Sequence, residues 1–515
     1  MYRPLETHSR YVGLALAAVS GTLLAFSFPH FGHPILAWVS LVPLLMAVTR
    51  SQSVLAAFWL GLTMGVTHFA LTVYWIPQVM TEYGGLSDVT AWLVHFLLVA
   101  YLALFPALFA VGIGFALRRF GVVGLYAAPA IWVTTELGRI HLFTGFPWEL
   151  LGYSQTPVLA VAQLASVVGV LGLSALVVLV NVTIVFAPLV TVSRRWRAVG
   201  FTTAIIGGTV IFGAWRLHSG SLLEHGTPLR VAAVQGNIAQ HDKWNPTSSD
   251  RILSTYIDLT REAVTEGASL VVWPEAATPF AFQSDSVGTS SILNLARDTG
   301  AHLLFGTTEI TRDGGQNYYN AAVMVDDTGG TVGTYRKHHL VPFGEYVPLR
   351  RLLFFASPLV ETVGNFSEGP GPRVLMMDEH PVSAAICYEI IYPELVRGFV
   401  TRGSQLLTTV TNDAWYGRSA APYQHFQQAR MRAIEQGRFL VRAANTGISG
   451  VVDPYGRVVA STPLFERRIL TADVRLLEKR TFYSLTGDMF GYGCVVIAVF
   501  VLGISLRRLG EVSLA

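Results

Sequence analysis

The stretch "PVSAAICYE" (residues 381–389) combines a strand pattern with a cysteine at its end. Its small and apolar residues predict a buried strand, and Cys387, Tyr388 and Glu389 are the last three residues of that strand. The chain has only two cysteines in 515 residues. Cys387 is therefore a candidate nucleophile, and what surrounds it in the fold becomes the main question.

Strand and helix patterns alternate on both sides of this stretch, which predicts an α/β domain with a mixed sheet over residues 218–486. We predict strands at 229–237, 269–275, 302–309, 381–389 and 404–413, helices at 250–267, 290–300, near 393–402 and 422–437, and hairpins at 321–335 and 448–462. This segment of roughly 270 residues is long enough for one sizeable core.

Three residues of this domain could form one active site. Ligands of α/β sheets bind beyond the carboxyl ends of the strands. Glu275 and Cys387 each lie where a predicted strand ends, and Lys337 lies just past the second strand of the predicted hairpin 321–335. Lysine is rare here: of 36 basic residues only Lys243, Lys337 and Lys479 are lysines. A thiol nucleophile needs a base and a nearby cation, which a Glu and a Lys supply. Spacing alone leaves plainer alternatives open, namely a buried cysteine, a helix-capping glutamate and a solvated lysine.

The composition is that of a membrane protein. Charged residues make up 13% of the chain and apolar residues 52%, and the mean hydropathy is +0.47. The net charge of +3 gives no argument for nucleic acid binding. The sequence has no zinc-type Cys/His spacing, no GxGxxG motif and no Walker loop, so we expect neither a metal nor a cofactor.

Eight apolar segments could span a bilayer, seven before residue 217 and one after the α/β segment. They are residues 11–28, 34–49, 54–76, 90–117, 121–138, 164–191, 198–215 and 489–506. Arginines concentrate in alternate short loops, which places both termini in the cytoplasm and 218–486 outside it. The predicted domains are a transmembrane domain (1–217), a periplasmic catalytic domain (218–486), and an eighth helix with a cytoplasmic tail (487–515). The first span could instead be a signal peptide, but the six spans that follow make a cleavable signal unnecessary.

Two further segments each have two interpretations. The loop 139–157 could form an aromatic belt or, through Arg139, bind a lipid phosphate, and the residues alone favour the belt, with Glu136 pairing with Arg139. The apolar segment 351–366 is either a core segment or an arm that reaches the bilayer or covers the pocket. Cys494 lies in the eighth span, where we expect a structural role.

Four separated motifs resemble those of the carbon–nitrogen hydrolase (nitrilase) superfamily. They are "VVWPEAATPF" (271–280), "YRKHHLVPFGEYVP" (335–348), "AAICYE" (384–389) and "TNDAWYG" (411–417). The resemblance implies an α-β-β-α sandwich and a catalytic triad. It makes Glu275 the general base, Lys337 the residue that stabilises the oxyanion, and Cys387 the nucleophile.

With seven spans before the domain and one after it, nearly the whole chain resembles the bacterial apolipoprotein N-acyltransferase family. "VQGNIAQHDKW" (234–244) and "FPWELLGYSQ" (146–155) resemble signatures of that family. The resemblance implies supporting roles for Glu345 as a second essential acid, for Tyr388 and Glu389 beside the nucleophile, and for Trp244, Trp415 and Glu435 around the pocket. It also places Gly145, Arg139 and Trp148 near the lipid access, which reverses the preference for the belt.

The implied function is the last step of lipoprotein maturation. An acyl chain, in this family usually the sn-1 chain of phosphatidylethanolamine, passes through a cysteine thioester to the α-amine of a diacylglyceryl-cysteine. We expect ping-pong kinetics, a monomer in the bacterial inner membrane, and partners that are a phospholipid and an apolipoprotein. Two alternatives stay open, a hydrolase that uses water as acceptor and a transporter or lipid-binding protein with an inert domain.

Overall fold

The computed structural model describes residues 7–51, 53–243, 245–312, 316–346 and 366–513. The predicted pocket residue Trp244 lies outside the described residues, as does all of the predicted arm 351–366 except its last residue. The chain divides into two units. The first comprises Met1–Pro77, Asp88–His218 and Thr486–Ala515, and the second comprises Gln78–Ser87 and Ser219–Leu485.

The first unit is helical, and each of the eight predicted spans contains a helix. The helices are Thr7–Phe26, Ala37–Ser40, Val42–Arg50, Val54–Thr72, Ile76–Glu82 (which continues into the second unit), Asp88–Phe120, Ala128–His141, Leu159–Ala162, Ala165–Phe186, Val192–Ser219 and Met489–Ser513. Within the described residues, five stretches are long and apolar enough to cross a membrane, and one of them, Asp88–His141, contains two predicted spans. Arg10–Phe26 and Pro34–Arg50 are shorter apolar helices. The count of eight spans therefore stays a prediction.

Small residues allow two of these helices to cross closely. A Cβ atom on Gly61 would lie 2.4 Å from the carbonyl oxygen of Pro106, and one on Gly65 would lie 2.7 Å from the Cα of Ala103. Glycines four residues apart form the face by which membrane helices approach one another. Large apolar side chains such as Trp92 and Phe96 are exposed on the outside of the same unit, as expected of a surface that contacts lipid.

The second unit contains two mixed sheets and a short strand pair. The strands are β1 (Thr227–Gln235), β2 (Leu270–Val272), β3 (His302–Thr311), β4 (Asn317–Val325), β5 (Thr331–Arg336), β6 (Leu375–Met377), β7 (His380–Val382), β8 (Ala385–Ile386), β9 (Leu407–Thr411), β10 (Leu440–Ala444), β11 (Gly450–Val452), β12 (Val458–Ser461) and β13 (Arg468–Leu476). The first sheet has the order β13-β1-β2-β3-β4-β5, the second has the order β12-β11-β10-β9-β8, and β6 pairs with β7. The strands β1, β2 and β3 are parallel and lie inside the first sheet. The strands β8, β9 and β10 are also parallel, and β8 forms one edge of the second sheet.

Helices cover the outer faces of the two sheets, and β1 of one sheet packs on β10 of the other. The helices of this unit are Ser221–Glu224, Ser249–Thr265, Ser286–Thr299, Pro393–Thr401, Ala421–Gln436 and Phe482–Thr486. The helix Ser249–Thr265 buries Ile252, Tyr256 and Leu259, one side chain per turn, against the first sheet, which is the spacing of an amphipathic helix. The layers are helix, sheet, sheet and helix, so the predicted α-β-β-α sandwich is confirmed.

Two strand predictions need correction. Residues 381–389 do not form one strand, because β7 and β8 are separate and Cys387–Ile391 is a 3-10 helix. The carboxylate of Glu389 accepts a hydrogen bond from the N–H of Ile386 at 2.8 Å, and this bond turns the chain as β8 ends. The prediction also missed β13, which pairs antiparallel with β1 along its whole length.

Candidate active site

Cys387 lies at the end of β8, where the chain leaves the second sheet. Its side chain is buried and its thiol is free. Its φ angle is +53°, a left-handed conformation that is uncommon and strained for a residue with a side chain. Such strain persists only where the surroundings hold the backbone in place, and it clusters at functional sites.

Glu275 lies just beyond β2, and two amide groups hold its carboxylate. The side-chain N–H of Asn320, on β4, donates to Oε1 at 2.7 Å, and the main-chain N–H of Asn412, just after β9, donates to Oε2 at 3.0 Å. β3 approaches closely here, since a Cβ atom on Gly306 would lie 2.5 Å from the Cα of Glu275. Ala276, the next residue, has a φ angle of +47°. The carboxylate is thus fixed by donors from both sheets.

Lys337 follows β5 and is 1% exposed. Its Nζ donates to Oε1 of Glu345 at 2.9 Å and lies 3.6 Å from Oε1 of Glu275. Asn320 also donates to Oε1 of Glu345, at 2.8 Å. One amide nitrogen therefore contacts both carboxylates, and one ammonium lies between them.

The charges of this cluster act on the thiol. Burial raises the pKa of Cys387 well above its usual value, the charge of Glu275 raises it further, and Lys337 acts in the opposite direction. Burial alone would lower the pKa of Lys337, but Glu345 and Glu275 outweigh it and raise that pKa above its ordinary value. The site thus holds a thiol together with an ammonium and two carboxylates. Thiol attack requires transfer of the proton to a base, and Glu275 is the carboxylate whose charge acts on the thiol most strongly.

Tyr388 and Glu389 follow Cys387 directly in the chain. The Glu389 carboxylate is fully buried and has four donors, the hydroxyl of Tyr335 and the main-chain N–H groups of Ile386, His338 and His339. It therefore ties β8 to the segment that carries Lys337. The Tyr388 ring is buried and meets the Tyr392 ring edge to face at 5.3 Å between centroids.

The sequence analysis missed three residues of the cluster, Lys243, Asn320 and Asn412. The Lys243 ammonium is 3% exposed and donates to the carbonyl oxygen of Glu275 at 3.0 Å. Burial lowers its pKa to about 8, although the charges of Glu275 and Cys387 act in the opposite direction. The rarity of lysine was the available signal for Lys243. Asn412 lies in the motif "TNDAWYG" (411–417), although the sequence analysis gave it no role, and Asn320 lies in none of the quoted motifs.

Two of the predicted pocket residues, Trp415 and Glu435, lie within the described part of the chain. Trp415 lies in the turn after β9, and its ring meets that of Tyr83 edge to face at 5.0 Å. Tyr83 belongs to the segment Gln78–Ser87 of the same unit, and its hydroxyl donates to the carbonyl oxygen of Ala414 at 3.3 Å. Glu435 is buried in the helix Ala421–Gln436 and forms an ion pair with Arg432 at 3.2 Å. Its position is thus that of a residue that supports the helix.

Arg139, Gly145 and Trp148 lie together in the first unit. The Arg139 guanidinium is 4% exposed and donates to the carbonyl oxygens of Trp148 at 2.8 Å and Glu149 at 3.3 Å. Gly145 has a φ angle of +74° in the turn between them. The predicted pairing of Glu136 with Arg139 is not formed: Glu136 accepts a hydrogen bond from the main-chain N–H of Leu151. Trp148 is 1% exposed, so it does not belong to an aromatic belt.

Across the described part of the chain, no group of three or more His, Cys, Asp or Glu side chains is arranged to bind a metal ion. The cluster around Cys387 contains a thiol, two carboxylates and two ammonium groups.

Both parts of the chain match known protein families. Residues 230–481 match the family described as carbon-nitrogen hydrolase, and residues 20–183 match the apolipoprotein N-acyltransferase N-terminal domain. The chain is 41% identical to an apolipoprotein N-acyltransferase of Geobacter metallireducens, over 96% of this chain and 95% of that one. It is 37% identical to the corresponding protein of Methylococcus capsulatus, over 96% of each.

Among solved structures, an amidase of the nitrilase superfamily from Nesterenkonia is 20% identical, with a TM-score of 0.40 over 52% of this chain and 97% of that one. A carbon-nitrogen hydrolase from Helicobacter pylori is 17% identical, with a TM-score of 0.38 over 48% of this chain and 89% of that one.

Proposed function

The chain belongs to the apolipoprotein N-acyltransferase family, and from that membership we propose that it transfers an acyl chain from a phospholipid to the N-terminal amine of an apolipoprotein. The observation that carries the proposal is the buried cluster around Cys387, in which Lys337 lies between the carboxylates of Glu345 and Glu275. We assign Cys387 as the nucleophile, Glu275 as the general base and Lys337 as the oxyanion-stabilising cation.

In the first half-reaction, Glu275 accepts the proton of the Cys387 thiol while the sulfur forms a bond to the ester carbonyl carbon of the phospholipid. The Lys337 ammonium stabilises the resulting oxyanion. The carbon–oxygen bond of the ester then breaks, and Glu275 returns the proton to the leaving alkoxide. A lysophospholipid departs and the acyl chain stays on Cys387 as a thioester.

In the second half-reaction, the neutral α-amine of a diacylglyceryl-cysteine attacks the thioester carbonyl. Glu275 accepts a proton from the attacking nitrogen and the carbon–sulfur bond breaks. The thiolate then takes the proton back from Glu275. The product carries an amide-linked acyl chain, and the two substrates use the same site in turn, which gives ping-pong kinetics.

The pKa values support this division of roles. Because the pKa of Cys387 is raised, the thiol keeps its proton and needs Glu275 to accept it when the ester arrives. Because the pKa of Lys337 is also raised, its side chain stays an ammonium throughout. Glu345 holds that ammonium in place by a hydrogen bond of 2.9 Å.

The surrounding residues receive supporting roles. We assign Tyr388, Glu389, Trp415 and Glu435, with Trp244, to the support or lining of the pocket. We assign Arg139, Gly145 and Trp148 to the lipid access. The donor is the sn-1 chain of phosphatidylethanolamine, and the protein acts as a monomer in the inner membrane, with residues 218–486 in the periplasm and both termini in the cytoplasm.

The test is intact-mass analysis of the purified protein after incubation with phosphatidylethanolamine in the absence of an acceptor. We expect a mass gain of one acyl chain that neutral hydroxylamine removes and that Cys387→Ala abolishes. Matched lipids labelled in the sn-1 or the sn-2 chain identify the donor position. A diacylated lipopeptide added next should remove the adduct and gain the acyl chain.

The match to the carbon-nitrogen hydrolase family makes hydrolysis the second candidate. Release of free fatty acid that requires Cys387, without transfer to the lipopeptide, would establish a hydrolase instead. Absence of both adduct and release would contradict the proposed roles of all three residues.

A further inference from the structure

A second buried cluster lies behind the nucleophile, and the mechanism above does not use it. It consists of His425 on the helix Ala421–Gln436, Asp413 just after β9, and Arg442 on β10. All three side chains are fully buried or nearly so. Buried ionisable groups have to be paired with one another. One member of this cluster, His425, also contacts the main chain of Cys387.

The imidazole of His425 reaches the main chain of the nucleophile. Its Nε2 lies 3.2 Å from the carbonyl oxygen of Cys387. Since a carbonyl oxygen only accepts hydrogen bonds, Nε2 carries the hydrogen and donates it. The other ring nitrogen, Nδ1, lies 3.1 Å from Oδ1 of Asp413 and 3.0 Å from Nη2 of Arg442, so the ring is held on both sides.

The same cluster is anchored to the second sheet. Nη2 of Arg442 donates to Oδ2 of Asp413 at 2.7 Å, and the hydroxyl of Thr411, at the end of β9, donates to Oδ1 at 3.0 Å. Gly447 makes room for the carboxylate, since a Cβ atom there would lie 2.3 Å from Oδ2. The anchor thus comes from β9, β10 and the loop that follows β10.

The neighbour of Asp413 in the chain is Asn412, whose N–H holds Oε2 of Glu275 at 3.0 Å. One rigid cluster therefore supports the carbonyl of the nucleophile on one side and a donor to the general base on the other. The residue that it supports has a strained φ angle of +53°, and such a conformation has to be imposed by its surroundings.

We propose that His425 is a positioning residue, which holds the backbone of Cys387 in its left-handed conformation through the Nε2–H···O bond, and that Asp413 and Arg442 fix the ring for this purpose. The inference rests on the proposed function insofar as Cys387 is the nucleophile. In this role His425 contacts neither the substrate nor the sulfur. It acts indirectly, because the backbone conformation of Cys387 sets the direction in which its thiol points relative to Glu275.

The test compares His425→Phe with the parent protein in a Cys494→Ala background, where Cys387 is the only thiol. Two rates are measured by intact mass: alkylation of Cys387 by iodoacetamide, and acyl-enzyme formation from phosphatidylethanolamine. A displacement of about 1 Å at a reacting group lowers a rate about 100-fold. We expect a loss of about that size in acyl-enzyme formation, a smaller loss in alkylation, and a phospholipid KM that changes little.

His302→Phe is the matched control. His302 is a buried histidine of the same unit, at the start of β3, and it pairs with Asp378 at 3.2 Å rather than with the site. We expect both rates to stay at the parent level. His425→Gln, which keeps a side-chain N–H donor, should recover most of the lost rate.

Rates of folded His425→Phe within threefold of the parent protein would overturn the proposal, and so would a folded His425→Gln variant that recovers nothing. If His425→Phe does not fold, Asp413→Asn is measured with the same threshold, because it weakens the anchor while it keeps the shape. A parent protein that forms no acyl-enzyme but still shows slower alkylation in His425→Phe would disprove the proposed function and leave the positioning role standing.

Discussion

Replacement of Lys243 by methionine should change how the stability of the protein depends on pH. The ordinary pKa of lysine is 10.5, and burial lowers that of Lys243 to about 8. Between these two values the unfolded chain binds more protons at this position than the folded chain does. The free energy of unfolding of the wild type therefore rises with pH through this window.

The magnitude follows from the size of the shift. A difference of about 2.5 pKa units, at about 1.36 kcal/mol per unit, gives about 3.4 kcal/mol as the full cost of the buried charge. That cost is present below about pH 8 and disappears as the pH rises towards 10.5. Between pH 7 and pH 10 the wild type should gain about 2.5 kcal/mol relative to Lys243→Met, which cannot titrate at this position.

The assay is the thermal midpoint of the full chain in detergent, measured for both proteins at intervals from pH 7 to pH 10. For a domain of this size the expected change in the difference between the two midpoints is about 5–10 °C. Lys479→Met, at an exposed position, controls for the loss of one lysine. Parallel curves for wild type and Lys243→Met over the whole range would refute the reasoning, because Lys243 would then not carry a buried charge.

Three further predictions concern the site. Lys337→Arg should slow acyl-enzyme formation at least 100-fold, because a guanidinium does not fit the buried position between the two carboxylates. This loss is the scale of removing an oxyanion-stabilising donor. A rate within tenfold of wild type, measured by intact-mass kinetics, would contradict the role. Glu389→Gln should lower the thermal midpoint, because the NH2 group of the glutamine would face at least one of the four donors. A buried donor that loses its acceptor costs about 1–3 kcal/mol of stability. An unchanged midpoint would show that these bonds do not stabilise the fold. Tyr83→Leu should lower stability by about 1–3 kcal/mol, because it removes the ring contact with Trp415 and the hydrogen bond to the carbonyl oxygen of Ala414. Because Trp415 is assigned to the pocket lining, the substitution should also raise the phospholipid KM severalfold with kcat little changed. A fall in kcat alone would place Tyr83 in the chemical step instead.

The fold was predictable wherever a segment carries its own pattern. The helix Ser249–Thr265 shows one apolar side chain per turn, and β2 and β3 are short apolar runs between turn signals, so both element types could be read locally. β13 was missed, although its burial alternates in part. It forms by pairing with β1, which lies far away in the chain, so no local pattern is sufficient to predict it. The break between β7 and β8 was missed because the carboxylate of Glu389 ends the strand, and this effect has no periodicity.

The site was predictable only in part, for a similar reason. Glu275, Lys337 and Cys387 each follow a strand, so the rule for strand ends selected them. Glu345 came from resemblance alone, since it lies in an irregular loop. The roles of Asn320 and Asn412 could not be predicted, although Asn412 lies in a quoted motif, because these roles depend on donor–acceptor distances across two sheets.

The amide of Asn320 has a consequence for mutational studies of the cluster around Lys337. Its nitrogen donates to Glu275 and Glu345 at once, and Glu345 shares the same oxygen with Lys337. Removal of any one of these side chains therefore changes the hydrogen bonds of the others. Residues in such contact show interaction energies of about 0.5–3 kcal/mol, so the effects of two substitutions will not add. Double-mutant cycles over this cluster measure that non-additivity directly, and a free energy assigned to one residue holds only for a stated set of neighbours.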